Sequence, residues 1–199
     1  GLMLRADLQL IQDWIAPHSR VLDLGCGDGS FLAHLKTTRQ IRDYGLEIDT
    51  ANIQLCLEAG VNVLEQNMDK GLKNFGTSSF DTVILAHTLQ ALHRPDEIVD
   101  EMLRVGKNGI LTFPNFAYWR HRLSLLTGGR MPKSPQLPYE WYDTPKLHQS
   151  MISDFDELCR LKNIKVLHRT VVDDSQHSSP LMRLCPNFFG INAIYHITR

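Results

Sequence analysis

Cysteine is scarce in this chain: Cys26, Cys56, Cys159 and Cys185 are all there are, and no two stand as C-x-x-C. That is too sparse for a secreted disulfide framework and argues against a zinc site, so no metal is expected and the thiols read as reduced, in a cytoplasmic protein. Long apolar runs are missing as well. No stretch of about 18 apolar residues offers a membrane span. No basic region followed by an apolar stretch suggests a signal peptide, and Gly1-Leu2 ahead of Met3 reads as a tag remnant. Charge of one sign is also lacking. The 21 Lys and Arg against 22 Asp and Glu leave a net charge of -1, with no global field to gather nucleic acid or an anionic membrane. Internal repeats and low-complexity tracts are absent. What remains is 199 residues, 43% hydrophobic, enough for one globular domain with a sizeable core.

Periodicity then sets the fold class. Leu4, Leu8, Ile11 and Ile15 fall at helical spacing, giving an opening amphipathic helix ended by Pro17. Short strands are expected at Arg20 to Leu24, Asp43 to Glu47, Val61 to Glu65, Thr82 to Ala86 and Gly109 to Phe113. Helices are expected at Ser30 to Thr37, Thr50 to Ala59 and Asp96 to Arg104. Strands alternating with helices predict an α/β, Rossmann-like, doubly wound and mostly parallel sheet, with right-handed crossovers. Ligands in such sheets bind beyond the carboxyl ends of the strands. Ser153 to Lys162 is expected as a helix opened by a capping box of Ser153 and Asp156, and Lys165 to Val172 and Ile191 to Thr198 as further strands. The sheet should then have about seven strands, the last antiparallel.

The regular pattern fails between Asn115 and Ser150. This stretch carries four prolines, the pair Gly128-Gly129 and six aromatics. It reads as an insertion (115-150) after the fifth strand of a single domain spanning 1-199, serving as a lid or a docking segment. Arg120, Arg122, Arg130, Lys133 and Lys146 face Glu140 and Asp143 in it. Three readings stay open: a carboxylate or phosphate site gripped by Arg, a partner surface anchored by Trp, Tyr and Arg, and a merely solvated basic face.

The most informative stretch is Val21-Leu-Asp-Leu-Gly-Cys-Gly-Asp-Gly29, an apolar strand running into three glycines ahead of a helix. Glycines there permit a sharp turn and close approach of backbone to a ligand. Glu47 follows Gly27 at a strand end, at a spacing that suits a carboxylate gripping ribose hydroxyls. A dinucleotide pyrophosphate would want G-x-G-x-x-G, but Ser30 stands at the place of the third glycine, and Asp23 and Asp28 would repel phosphate. A phosphate-free ligand with an ammonium and a sulfonium, S-adenosylmethionine or its product S-adenosylhomocysteine, suits those carboxylates better.

Val21 to Gly29, Tyr44 to Asp49, Phe80 to Ala86 and Glu101 to Asn115 together resemble the motifs of class I S-adenosylmethionine-dependent methyltransferases. Met68 to Leu72, Thr88 to Ala91, Thr112 to Phe116, Tyr139 to Thr144 and Asp154 to Cys159 resemble, more narrowly, the methionine biosynthesis protein MetW family. The resemblance implies binding of S-adenosyl-L-methionine and work beside a homoserine O-acyltransferase; it supplies no methyl acceptor. It also implies roles. Asp23, Gly25, Cys26 and Gly27 would line the methionine end. Glu47 would hold the ribose, Ile48 would pack on the adenine, Asn67 and Met68 would meet its edge, and Ala86 would offer backbone near the methionine end. The superfamily commonly has Asp at Asn67, whose oxygen can still accept from the adenine amino group.

Methyl transfer from a sulfonium needs positioning and water exclusion more than a base. No catalytic residue follows from sequence, and a small-molecule acceptor remains open beside a role without turnover. The weak candidates are His87 just past the fourth strand, with Tyr142, Tyr139 and His148 from the insertion; packing duty is the commoner fate of each. Cys26 reads as a small residue in a tight turn rather than a nucleophile.

Overall fold

The computed structural model describes residues 10–135, 137–145, 148–173, 175 and 177–199. Its centre is β1, Arg20–Leu24, a strand buried on both faces. Val21 turns to one side and Leu22 to the other, as the two-residue period of a strand requires. The same alternation recurs in the neighbours: Val21, Ile84, Ile110 and Ile194 enter one apolar cluster, while Leu22, Leu85, Leu111 and Tyr195 enter a second. The sheet therefore has a core on each face, which is why its parallel strands read as continuous apolar runs.

Seven strands make the sheet: β1, β2 (Arg42–Glu47), β3 (Val63–Glu65), β4 (Phe80–Ala86), β5 (Gly106–Pro114), β6 (Lys165–Val172) and β7 (Asn192–Thr198). The order is β3-β2-β1-β4-β5-β7-β6. Pairings from β3 through β5 are parallel, and β7 runs antiparallel between β5 and β6. The sheet class read from the sequence is what the chain adopts.

Helices α1 (Ser30–Arg39), α2 (Thr50–Glu58) and α3 (Pro95–Val105) supply the crossovers. Asp49 caps α2, its side chain accepting from the backbone N–H of Ala51 and Asn52. α3 has Pro95 at its start, Asp96 and Glu97 in its first turn and Arg104 in its last, the charge order a helix dipole favours. Its apolar stripe of Ile98, Val99, Met102 and Leu103 packs on the sheet.

Four expectations change. Leu4 and Leu8 of the first helix lie outside the described residues; Ile11 and Ile15 are buried, but helical backbone covers residues 10–12 and gives way to tight turns before Pro17. β3 starts at Val63 because the Val61 N–H closes the end of α2 on the Cys56 carbonyl, 2.9 Å away. The segment after β5 is not wholly irregular: α4 (Trp119–Gly128) occupies it and ends on Gly129 in a left-handed conformation. Finally, α5 (Ile152–Leu161) carries no capping box, for Ser153 lies inside the helix. Its first N–H groups go instead to side chains distant in sequence. Ile152 donates to Asn115 Oδ1 at 3.3 Å and Ser153 to Asn187 Oδ1 at 3.4 Å.

Asn115 ties the base of the insertion together. Its Nδ2 donates to the carbonyls of Asn187 and Gly190, and its Oδ1 also accepts from Ala117 N–H. The Phe116 N–H donates to Ser150 O at 2.9 Å. The segment thus leaves and re-enters the domain through one closed neck. Beyond it, two short helices, α6 (Pro180–Leu184) and α7 (Pro186–Phe189), lead into β7.

Candidate functional site

The carboxyl ends of β1, β2 and β4 meet at the glycine loop. Gly25, Gly27 and Gly29 hold φ of 75°, 56° and 76°, a region a side chain enters only with strain. The Gly25 and Cys26 N–H groups both bond the Leu46 carbonyl, fixing the loop to the end of β2. A Cβ on Gly25 would meet Met68 Cε at 3.0 Å and Thr88 Oγ1 at 3.3 Å, while in front of Gly27 nothing stands within 4 Å. The loop is walled on one side and open on the other.

Glu47 is fastened to this loop. Its Oε2 accepts from Gly27 N–H at 2.9 Å, and its Oε1 from its own neighbours Ile48 N–H and Asp49 N–H at 2.8 and 3.0 Å. Three backbone donors orient the carboxylate, and its remaining lone pairs are available to hydroxyl groups. Ile48 beside it is 59% exposed, an apolar face a flat ring would cover.

Asp23, at the end of β1, is 4% exposed, and its Oδ1 has no hydrogen-bond partner. Burial, with the Glu47 charge adding to it, pushes its carboxyl up to about 7. A buried acceptor without a donor is costly, and a cationic ligand would relieve it. Asp28 behaves differently: its Oδ1 accepts from Ser30 N–H and serves the entry into α1.

The structure brings Asp23, Gly25, Gly27, Glu47 and Met68 together. Cys26 offers less than the sequence suggests. Its N–H is spent on Leu46 and its thiol turns into the core, 3.7 Å from Cys56 Sγ. Asn67 Oδ1 accepts from Asp69 N–H at 2.9 Å, capping the 3-10 turn Met68–Lys70 and keeping one lone pair outward. The Ala86 carbonyl accepts from Thr88 Oγ1 at 2.9 Å.

The weak catalytic candidates do not converge. His87 sits at the end of β4 in a left-handed conformation, φ 56°, with its N–H shared between Thr112 O and Oγ1. Tyr142 is 71% exposed and packs edge-on against Trp141. Tyr139 lines a separate cleft of about 510 Å³ within the insertion, together with Arg130, Lys133, Glu140 and Trp141. His148 is exposed, but its N–H bonds the Gln90 carbonyl at 3.0 Å and its Nε2 lies 3.2 Å from the His93 carbonyl. The end of the insertion is therefore anchored beside the turn that follows β4.

The cations of the insertion do not gather into an anion site either. Arg120 stacks over Trp119, Arg122 over Phe188, and Lys133 pairs with Glu140. Lys146 lies outside the described residues.

Two neighbours of the loop were not legible as site residues. Thr88 touches the Gly25 position, and Gln90, 2% exposed, keeps both amide atoms without a partner. The one signal in sequence was a polar Gln set inside Leu89-Gln-Ala-Leu92.

The strand order, with its antiparallel seventh strand and a glycine loop closing on an acidic strand end, defines the class I methyltransferase fold. Solved structures agree. A SAM-dependent methyltransferase from Archaeoglobus fulgidus matches with TM-score 0.69 at 17% identity, over 98% of this chain and 93% of that one. An S-adenosylmethionine-dependent methyltransferase from Mesorhizobium loti matches with TM-score 0.70 at 15% identity, over the whole of both. More narrowly, the family described as Methionine biosynthesis protein MetW matches residues 5–197, and the chain belongs to that family. A curated relative, the bifunctional methionine biosynthesis protein MetXA/MetW of Rhodopirellula baltica, is 35% identical over 188 residues; these cover 89% of this chain and 30% of the relative.

Proposed function

We propose that this protein binds S-adenosylmethionine or S-adenosylhomocysteine at the glycine loop and acts with a homoserine O-acyltransferase in methionine biosynthesis. The observation that carries the ligand is the buried, unpartnered Oδ1 of Asp23 beside an open Gly27. The residues suit this ligand: Asp23 for its ammonium, Glu47 for two ribose hydroxyls, Ile48 for one face of the adenine, and Asn67 with Met68 for its edge. When bound, S-adenosylmethionine supplies an activated methyl group on a sulfonium. The chain contributes orientation through the fastened Glu47 carboxylate and water exclusion through Met68, Thr88 and the anchored end of the insertion.

The partner is supported by the relative whose name pairs MetXA with MetW in one chain. It is supported also by the insertion, where Leu126 (84%), Trp141 (73%) and Tyr142 expose large apolar surface away from the neck. An outward aromatic surface favours docking over lid closure. The second reading is a methyltransferase acting on a small molecule; the strained His87 at the site mouth favours it, since strain collects where chemistry is done.

Calorimetry with S-adenosylhomocysteine and with NAD tests the ligand. Binding of the first, weakened about a hundredfold or more in Glu47→Ala, is expected from the loss of two hydrogen bonds to a charged acceptor. Preference for NAD overturns the assignment. Acyltransferase assays with and without this protein, across a titration of S-adenosylmethionine, test the partnership, and no effect of the protein removes it. Release of S-adenosylhomocysteine on mixing with a small-molecule acceptor decides for the second reading.

A further inference from the structure

The described residues hold just two side chains with buried, unpartnered polar atoms, Asp23 and Gln90. They stand on adjacent strands. Asp23 lies at the end of β1, opposite Ile84 of β4. Gln90 lies in the 3-10 turn Leu89–Ala91, which follows β4 directly. Thr88, two residues before Gln90, has its hydroxyl 3.3 Å from the Cβ position of Gly25. From the other side, the end of the insertion bonds the Gln90 backbone carbonyl through His148 N–H. Gln90 thus sits at the seam between the glycine loop and the returning insertion, one short turn from the place where the methionine end of the ligand belongs.

A primary amide carries two donors and an acceptor with two lone pairs. Leaving all of them unmet in a buried place is costly, and an apolar side chain of the same size would be cheaper there. The need is complementary to that of Asp23. Asp23 can answer an ammonium but would repel a carboxylate, and Glu47 lies close enough to raise its proton affinity. A zwitterionic amino-acid group brought into this corner needs a neutral donor for its carboxylate. The amide of Gln90 supplies that donor with no added charge, and its oxygen can also accept from the ammonium.

We propose that Gln90 binds the amino-acid end of S-adenosylmethionine and S-adenosylhomocysteine, its Nε2 donating to the carboxylate while Asp23 takes the ammonium. The inference rests on the ligand assignment above and deepens it by naming the group that reads the carboxylate.

The test compares S-adenosylhomocysteine with 5′-methylthioadenosine, a nucleoside thioether that lacks the amino-acid end, by calorimetry on the full chain carrying Gln90→Leu, Gln90→Met or Gln90→Glu. The unaltered protein should bind S-adenosylhomocysteine more tightly than methylthioadenosine. Gln90→Leu and Gln90→Met should lose about tenfold to a hundredfold of affinity for S-adenosylhomocysteine alone, the worth of a hydrogen bond to a charged group. They should leave methylthioadenosine unchanged and the melting temperature equal or higher. Gln90→Glu should lose more, since it sets a second carboxylate against the first. Equal losses for both ligands would make Gln90 a support of the loop rather than a reader of the carboxylate, and unchanged affinities would leave it no part in binding; either result overturns the proposal while the ligand assignment stands. Failure of the unaltered protein to bind S-adenosylhomocysteine overturns both.

Discussion

The Sγ atoms of Cys26 and Cys56 stand 3.7 Å apart beneath the glycine loop, and each fills space that a glycine has left. A Cβ on Gly45 would lie 2.5 Å from Cys26 Sγ, and one on Gly29 would lie 2.8 Å from Cys56 Sγ. Gly45 belongs to a strand and has no unusual φ, so its small size serves the thiol alone. Gly45→Ala should therefore destabilise the fold by about 1–3 kcal/mol, the usual cost of overpacking. Adding Cys26→Ala should recover most of that loss, because the two sites share one volume. Urea denaturation of the two single variants and the double variant measures the coupling, and strict additivity would refute the contact.

Asp23 makes a signed prediction about pH. Its folded carboxyl is raised to about 7 from an ordinary 3.8, so the folded protein holds a proton that the unfolded chain releases. The stability this brings is full below about pH 4 and is lost as pH rises through 7, roughly 4 kcal/mol in all for a shift of that size. Asp23→Asn should stabilise the ligand-free protein at pH 7.5 and flatten this part of the profile. The same variant should bind S-adenosylhomocysteine less tightly. Near pH 6, calorimetry on the unaltered protein should show proton release on binding, seen as an apparent enthalpy that changes with the buffer.

His196 works in the opposite direction. Its Nε2 lies 3.0 Å from Asn108 Oδ1, an oxygen that also accepts from Thr82, while Asn108 Nδ2 donates to Asp81 O. His196 Nε2 is therefore the protonated nitrogen, and its Nδ1 accepts from His168 Nδ1 at 3.1 Å. Trp14 stacks against both rings. Burial first, and the His168 charge second, push His196 down to about 4. A depressed histidine contributes stability above its unfolded value near 6.5 and gives it up as pH falls toward 4, about 3 kcal/mol across that window. Replacement of His196 by Asn should lower stability at pH 7.5 and remove the slope between pH 6.5 and 4, read by denaturation at each pH.

Asn115 should be the costliest polar residue to remove from the neck of the insertion. It is 1% exposed and makes four hydrogen bonds, to Ala117, Ile152, Asn187 and Gly190. Asn115→Ala leaves two carbonyls and two N–H groups unanswered and should cost about 2–4 kcal/mol. Proteolysis should then cut first within residues 115-150. A variant as stable and as resistant as the parent would show that the neck is held by other contacts.

The sheet was legible because its strands are buried on both faces: Val21, Leu22 and Leu24, or Val83, Ile84 and Leu85, leave a run of apolar residues that little else produces. The glycine loop was legible because three positive φ values need three glycines. α4 was not, for its Leu123, Leu125 and Leu126 face solvent and only His121 is buried, so the stripe that marks a core-facing helix is missing. The capping of α5 was misread for another reason: its acceptors, on Asn115 and Asn187, are tens of residues away, and a local motif cannot reveal them. Gln90 shows the remaining limit, since a buried amide earns meaning only from the partners that the folded chain fails to give it.

The placement of β7 between β5 and β6 imposes an order on assembly. β6 pairs with β7 and with no other described strand, so it stays outside the sheet until the last strand has been made. Strands β1 to β5, which carry the glycine loop, Glu47 and the turn with Gln90, are complete by Pro114 and can register against one another while the ribosome is still adding the remainder. The C-terminal pair then closes as a hairpin with a long and partly helical connection. A ribosome-bound chain stalled shortly after β5 would hold the ligand-facing half of the sheet with one edge still open to β7.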